Sequence, residues 1–237
     1  MKVQRPMTPA RDVVITCLFT RHPDPQSGEH WPSDPKVLTV LSSLQRHQVT
    51  AVVLYDDEEL RPDGRAVYVH VDNDIPNAYW ARWRHIADYV AGLEPDARVW
   101  CVDGGDVTLL RRDPFYLITD SNLYVGSEPG PTDAQHPRSV GFWWMRQLHP
   151  THAAWIDEHA DLTLLNVGLV GGHAREVRLF AEQLAGCWPT EDQTDMAAAN
   201  RLLYSPEWVG RVITGDRVHT PMWSWRTSDP HAIWAHK

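Results

Sequence analysis

The chain has 237 residues, 43% of them hydrophobic and 22% charged, with a formal net charge of −9. This is the composition of a globular protein with a sizeable core, and it excludes a disordered chain. No stretch approaches eighteen consecutive apolar residues, and no apolar run follows the basic residues among positions 1–11. We therefore predict neither a membrane span nor a secretion signal. The acidic balance disfavours nucleic acid as a general partner, although the arginines could still form a local basic groove.

The three cysteines, Cys17, Cys101 and Cys187, lie far apart in the sequence. An odd number without paired spacing predicts reduced thiols and a cytoplasmic location. The 12 tryptophans could stack on sugar rings or bases, but indole side chains more often belong to the core.

The first half of the chain alternates strands with helices. Apolar β-branched runs predict strands at residues 12–20, 51–55, 66–71 and 98–102, and apolar spacing of three and four predicts helices at 36–48 and 79–93. A Pro-rich loop at 21–35 follows the first strand. This order predicts an α/β sheet with helices on both faces.

The second half is less regular. We predict one or two short strands within 115–125, a loop at 127–139, and a strand at 162–170 that is closed by Gly171-Gly172. Amphipathic helices are predicted at 174–184 and 192–203, followed from residue 209 by loop-rich sequence. The sequence has no internal repeat, so we expect a single domain.

The densest chemical motif, Asp103-Gly-Gly-Asp106-Val, directly follows the strand predicted at 98–102. Ligands of open α/β sheets bind beyond the carboxyl ends of strands, and two carboxylates in a tight glycine turn can face one point. Such a pair suits a hard divalent cation, Mn²⁺ or Mg²⁺, together with phosphate oxygens of a ligand. The alternative is a turn in which both carboxylates only cap backbone amides.

This strand, the Asp-x-x-Asp-Val motif and the later Asp113-Pro-Phe115 together resemble the metal motif of A-type glycosyltransferases, in the variant of collagen glucosyl- and galactosyltransferases. The resemblance implies an α/β A-type fold with a central mixed, mostly parallel sheet over residues 1–237. A nucleotide- and metal-binding half would cover residues 12–125 and an acceptor half residues 126–237. Asp103 and Asp106 would join the metal to the diphosphate of a nucleotide sugar.

Two later motifs agree with the same family in order and spacing. The segment from Asn166 through Gly168 is similar to the Asn-x-Gly segment that lines donor sugar and acceptor, where glycine lets a ligand approach the backbone. The segment Asp195-Met-Ala-Ala-Ala-Asn200 is similar to the helix start of glycogenin-like enzymes, with Met196 in place of the usual Gln. Asp195 would then lie beneath the donor sugar, with retention of configuration. Asp192 is the alternative for this role, and a plain helix cap is the structural alternative.

The C-terminal region offers the remaining ligands that the resemblance implies. His236 resembles the third metal ligand of these enzymes and Lys237 their phosphate-binding lysine, while His219 is the alternative metal ligand. Imidazole is a sound partner for Mn²⁺ among carboxylates.

The nucleotide would lie at the ends of the first strands. The residues expected around base, ribose and diphosphate are Thr16, Phe19, Thr20, Arg21, Asp56 and Arg82. In this family a basic side chain such as Arg82 points towards the donor.

The sequence thus predicts a metal-dependent hexosyltransferase that uses a nucleotide-sugar donor, with UDP-sugars favoured. The acceptor stays open among glycans, proteins, small molecules and modified DNA bases, as does the oligomeric state. A nucleotidyltransferase is the first alternative, but the loop at 21–35 lacks the lysine and glycine-rich pattern of a phosphate loop. A non-catalytic carbohydrate-binding protein is the second, and it would not need the Asp103/Asp106 pair.

Overall fold

The computed structural model describes residues 12–128, 138–187, 192–215, 218–220 and 231–236. Its strands are β1 (Asp12–Leu18), β2 (Ala51–Tyr55), β3 (Val67–His70), β4 (Arg98–Val102), β5 (Val107–Leu109), β6 (Leu123–Ser127), β7 (Leu165–His173), β8 (Val212–Ile213), β9 (His219–Thr220) and β10 (Trp234–His236). Its α-helices are α1 (Val40–Arg46), α2 (Ala78–Val90), α3 (Trp143–Leu148), α4 (Ala153–Glu158), α5 (Ala174–Ala185) and α6 (Met196–Leu203). Within the described ranges, no helix combines the length and apolarity needed to span a bilayer.

Seven strands form the central sheet in the order β3-β2-β1-β4-β7-β6-β8. Strand β7 is antiparallel to both its neighbours, and every other pairing in this sheet is parallel. The carboxyl ends of β1, β4 and β6 therefore share one edge with the amino end of β7. In open sheets this edge is where ligands bind.

Side chains of β1 alternate between two cores, one on each face of the sheet. Val13 and Ile15 belong to the core beneath α2 and α5, whereas Val14 and Leu18 belong to the core on the face of α1. Helix α5 buries Val177, Phe180, Ala181 and Leu184, the spacing that places one helical stripe on a sheet. Helix α2 is capped at its N-terminus by Asn77, whose side chain accepts a hydrogen bond from the amide of Tyr79.

A second, three-stranded sheet has the order β5-β10-β9. The end of the described chain lies between two other strands there, with β10 antiparallel to β5 and parallel to β9. The indole of Trp234 in β10 packs edge-on against Trp100 of the central sheet, with ring centroids 5.6 Å apart. This packing fixes the C-terminal strand beside the turn that follows β4.

The α/β class, the mostly parallel sheet and the flanking helices are confirmed, whereas several boundaries were wrong. The strand predicted to close at Gly171-Gly172 continues through both glycines, because they pair with Val99 and Trp100 of β4. Gly171 is required inside the strand, since an added Cβ would overlap the indole of Trp100.

The helices predicted at 36–48 and 192–203 begin later than expected. A 3-10 turn at Pro35–Val37 precedes α1, and α6 begins at Met196. The short elements α3, α4, β5, β8, β9 and β10 were not predicted, since none is long enough to show a hydrophobic period.

Candidate functional site

A cleft of about 730 Å³ opens at the sheet edge where β1, β4 and β6 end and β7 begins. Its lining includes seven of the predicted site residues: Phe19, Arg82, Asp103, Asp106, Asn166, Gly168 and Asp195. These residues come from five separate segments of the chain. Its size is in the range of a small-molecule or cofactor site.

Asp103, Asp106 and His236 form one cluster at the floor of this edge. One ligand atom from each lies within 4.8 Å of the other two. The turn that carries the two aspartates is fixed at several points, since the amide of Asp103 donates to the carbonyl of Gly168 at 2.7 Å and the hydroxyl of Thr39 donates to that of Gly105 at 2.8 Å. Two carboxylates and an imidazole form a donor set that fits Mn²⁺ or Mg²⁺.

His236 reaches this cluster through β10, where it pairs with Val107 just beyond Asp106. Its imidazole is fully buried, and its Nε2 lies 3.9 Å from Oδ1 of Asp106. Pairing inside a sheet holds the ring in place, unlike a side chain at a frayed terminus. Of the two histidines predicted as ligands, the structure therefore brings His236 to the aspartates.

Gly168 faces the same cluster from β7. A Cβ at this position would overlap the carboxylate of Asp103 and lie 3.0 Å from Oδ1 of Asn166. The absence of a side chain here lets the backbone of β7 and the Asp103 carboxylate approach each other.

Arg82 links the cluster to Asp195. Its guanidinium donates to Oδ2 of Asp195 at 2.7 and 3.0 Å and to Oδ1 of Asp103 at 2.5 Å. The indole N–H of Trp83 donates to the same oxygen of Asp195. Burial alone would lower the pKa of Arg82, but attraction to Asp195 and Asp103 outweighs it and raises that pKa above its ordinary value. Arg82 is thus a permanent cation between two carboxylates.

Asn166 is oriented by Glu128, which sequence analysis did not predict. The side-chain amide of Asn166 donates to Oε2 of Glu128 at 2.5 Å, and its oxygen accepts from the amide of Gly168 at 2.8 Å. Both side chains are buried and line the cleft. Glu128 follows β6 at the start of a segment predicted only as a loop, and its pairing with Asn166 joins residues 38 apart in sequence.

Asp192 lies outside the cleft lining. Its carboxylate contacts His152 Nδ1 at 2.6 Å and accepts from the amide of Thr151 at 3.2 Å, and it lies 3.8 Å from His149. His149 in turn meets the hydroxyl of Thr194, a cleft residue, at 3.2 Å. Asp192 therefore supports the segment that leads into Asp195.

The other predicted nucleotide-binding residues lie around the end of β1. The carboxylate of Asp56 accepts from the amide of Thr20 at 2.9 Å and from Asn73 at 2.9 Å, which ties the ends of β1 and β2 together. Arg21 points towards Asp72 and the carbonyl of Asn73. Thr16 lines a small pocket behind the cleft, next to Arg82 and Asp103. None of these residues, Thr16, Thr20, Arg21 or Asp56, belongs to the described lining of the large cleft.

Two predictions cannot be placed. Lys237 lies outside the described residues, and so does the side chain of His219, whose backbone belongs to β9.

Several cleft residues had no sequence signal that pointed to a site. They are Asp24, Gln26, Trp31, Tyr79, Trp144 and Thr194. Trp31 is 44% exposed in the loop after β1, whereas Trp144 of α3 is partly buried, packing against the cluster around Met145; both line the cleft. The number of tryptophans hinted at sugar stacking, but only the fold separates these two from the fully buried Trp80, Trp83, Trp100, Trp208 and Trp234.

The fold and site define an α/β protein with an acidic, histidine-containing cluster that borders a cleft at the carboxyl ends of its parallel strands. Comparison with protein-family models and with curated proteins finds no match for the sequence.

Proposed function

We propose that the protein is a metal-dependent glycosyltransferase with the A-type nucleotide-sugar fold, moving a hexose from a nucleotide diphosphate, UDP for preference, to an acceptor hydroxyl. The observation that carries the proposal is the cluster of Asp103, Asp106 and His236 at the sheet edge. Its two aspartates line a cleft large enough for a nucleotide sugar. A carbohydrate-binding protein without catalysis would have no need of this cluster.

The charge of the cleft supports a cation as part of the ligand. Its described lining holds five carboxylates, those of Asp24, Asp103, Asp106, Glu128 and Asp195, and one basic side chain, Arg82. A nucleotide diphosphate is itself an anion, so this surface would repel it. A divalent cation held by Asp103, Asp106 and His236 would neutralise these two carboxylates and present a positive centre to the diphosphate.

The residues around the cluster have separate proposed roles in binding the diphosphate and the sugar. A bound Mn²⁺ or Mg²⁺ would supply charge neutralisation at the departing diphosphate. Arg82 places a second positive charge next to Asp103, and Asp195 holds Arg82 in position. Asn166 and the bare backbone at Gly168 form a wall on which sugar hydroxyls can find hydrogen-bond partners.

Turnover of nucleotide sugars tests this function directly. Purified protein is incubated with a panel of UDP-, GDP-, ADP- and dTDP-sugars and Mn²⁺, and the released nucleoside diphosphate is quantified, with water as acceptor where no other is supplied. We expect release from at least one donor, and none after a chelator is added. Release that continues with the chelator, or absence of release and of binding with every donor, would refute the proposal.

A matched pair of variants links the activity to the cluster. Asp106→Asn should abolish release, whereas Asp96→Asn should retain it. Asp96 precedes β4 at the opposite end of the strand and makes an exposed ion pair with Arg175 at 2.7 Å. Exposed ion pairs of this kind contribute about 0–1 kcal/mol to stability, so the control tests the position and not merely the loss of a charge.

A further inference from the structure

Four of the five carboxylates in the described lining of the cleft belong to the cluster, to an ion pair or to a loop cap. Asp103 and Asp106 belong to the cluster with His236. Asp195 accepts three N–H groups, two from Arg82 and one from Trp83. The carboxylate of Asp24 caps its own loop, accepting from the amide of Gln26 at 3.1 Å and the hydroxyl of Ser27 at 3.0 Å.

Glu128 is the fifth. Its Oε2 accepts from the neutral amide of Asn166 at 2.5 Å, and its Oε1 forms a longer ion pair with Arg138 at 3.5 Å. A carboxylate offers about four acceptor positions, so the contacts that Glu128 makes with the described residues leave room on Oε1 for a ligand. The side chain lines the cleft although only 5% of the residue is exposed.

The backbone around Glu128 is held on both sides. Its amide donates to the carbonyl of Leu164 at 2.8 Å, and its carbonyl accepts from the amide of Arg138 at 2.9 Å. Asn166, which holds the carboxylate, also accepts from Gly168, whose Cα lies against the carboxylate of Asp103. A short chain of contacts therefore fixes Glu128 relative to the cluster that would bind the diphosphate.

Resting on the proposed function, we propose that Glu128 is the general base that takes the proton from the acceptor hydroxyl. In that step the acceptor oxygen forms a bond to the anomeric carbon of the donor sugar. The bond from that carbon to the diphosphate oxygen breaks, and its electron pair leaves with the nucleoside diphosphate. The proton of the acceptor O–H moves to the carboxylate of Glu128.

This assignment has a stereochemical consequence. A base that activates the incoming hydroxyl implies one direct displacement, which inverts the anomeric configuration. The resemblance to glycogenin-like enzymes implies retention instead, with Asp195 beneath the sugar. The contacts favour the former, because Oδ2 of Asp195 lies 2.7 Å from Arg82 and also accepts from Trp83, whereas the ion pair of Glu128 with Arg138 is 3.5 Å long.

The test compares Glu128→Gln and Glu128→Ala with the wild type, using donor hydrolysis so that no acceptor need be known. Both variants should lose on the order of 10²- to 10⁴-fold in turnover, the usual contribution of a general base. Their affinity for the nucleoside diphosphate with Mn²⁺ should stay within a factor of about three of wild type, because Glu128 is not among the cation's proposed ligands. Azide carries no proton to remove. With azide, Glu128→Ala should therefore form a glycosyl azide whose configuration, read by NMR, is inverted relative to the donor.

Glu176→Gln is the matched control, since Glu176 is also 5% exposed but lies on α5, paired with Arg175 and outside the cleft lining. It should retain turnover. Near-wild-type turnover of Glu128→Gln would overturn the assignment, as would a retained configuration in the wild-type product, and both results would leave the glycosyltransferase function intact. If Glu128→Ala lost turnover and formed no glycosyl azide, the role of Glu128 as a base would be overturned, and its side chain would only position Asn166. A wild type that turns over no donor would refute the function and the base together.

Discussion

The imidazole of His236 and the carboxylate of Asp106 lie 3.9 Å apart, Nε2 to Oδ1, across the pairing of β10 with β5. If a cation joins them, it stabilises the folded protein in proportion to the logarithm of its concentration. At 100 times its dissociation constant the gain is about 2.7 kcal/mol. We expect Mn²⁺ to raise the melting temperature of the wild type and to leave that of His236→Ala almost unchanged.

The measured quantity is the shift caused by the metal, because His236 is fully buried and its removal also lowers the melting temperature of the metal-free protein. His173→Ala serves as control, since His173 ends β7 at the opposite edge of the sheet and contacts the carbonyl of Asp96. It should show the wild-type shift. An equal shift in His236→Ala would exclude His236 as a ligand and direct the search to His219.

Replacing Arg82 by Met should destabilise the protein strongly. The side chain is only 14% exposed and its removal leaves Asp195, whose side chain is 2% exposed, without its cation. Breaking a buried ion pair by removing one partner costs about 3–5 kcal/mol. Chemical denaturation should show a loss of this order for Arg82→Met and a change within about 0.5 kcal/mol for Arg84→Met, an exposed position on the same helix. An equal loss of unfolding free energy in both variants would mean that the ion pair of Arg82 with Asp195 adds nothing beyond the effect of the substitution on the helix.

The sequence allowed the layered α/β core to be predicted because each long element has a clear period. The run from Asp12 to Leu18 is apolar except for Asp12 and Thr16, as expected of a strand buried on both faces, and the helix at Ala174–Ala185 shows one apolar stripe. The direction of β7 could not be predicted. Its antiparallel pairing with β4 and β6 depends on long-range contacts, and of the two glycines that suggested an ending, Gly171 instead makes room for Trp100.

The site divides in the same way. Asp103 and Asp106 are close in sequence, so their convergence could be predicted from one turn. The approach of His236 was expected from a resemblance, and its physical cause, the insertion of β10 beside β5, has no local signal. Glu128 was missed because its role depends on Asn166 in another strand. Contact of Asp56 with the nucleotide base stays a prediction. In the structure its carboxylate accepts hydrogen bonds from Thr20 and Asn73.

His149 should make the protein sensitive to acid. Burial lowers the pKa of its imidazole from 6.5 to about 4, although Asp192 nearby opposes the shift. Below pH 6.5 the imidazole of His149 binds a proton in the unfolded chain, whereas in the folded protein it stays neutral until about pH 4. The free energy of unfolding therefore falls as the pH drops through this window. A shift of this size corresponds to about 3 kcal/mol at most. Denaturation between pH 7 and pH 4 should show a shallower loss for His149→Gln than for wild type, whereas His47→Gln, at the end of α1, should match the wild type. The same slope in all three proteins would contradict the assignment.

Two glycines of β7 should respond differently to the same change. A Cβ at Gly168 would overlap the Asp103 carboxylate, while a Cβ at Gly171 would overlap the indole of Trp100. The carboxylate is 33% exposed, so it can turn towards solvent at the expense of its contact with Arg82. Gly168→Ala should therefore cost less stability than Gly171→Ala but displace a proposed metal ligand.

The indole cannot move in this way, because it is fully buried and its N–H donates to the carbonyl of Pro114 at 2.8 Å. Overpacking a core costs about 1–3 kcal/mol, so Gly171→Ala should lose stability and, where it folds, keep its affinity for Mn²⁺. Calorimetric titration with Mn²⁺ and denaturation of both variants separate the two effects. If Gly168→Ala kept its affinity for Mn²⁺, the close approach of β7 to Asp103 would matter for strand packing and not for metal binding. The metal site would then have to be placed nearer to Asp106 and His236.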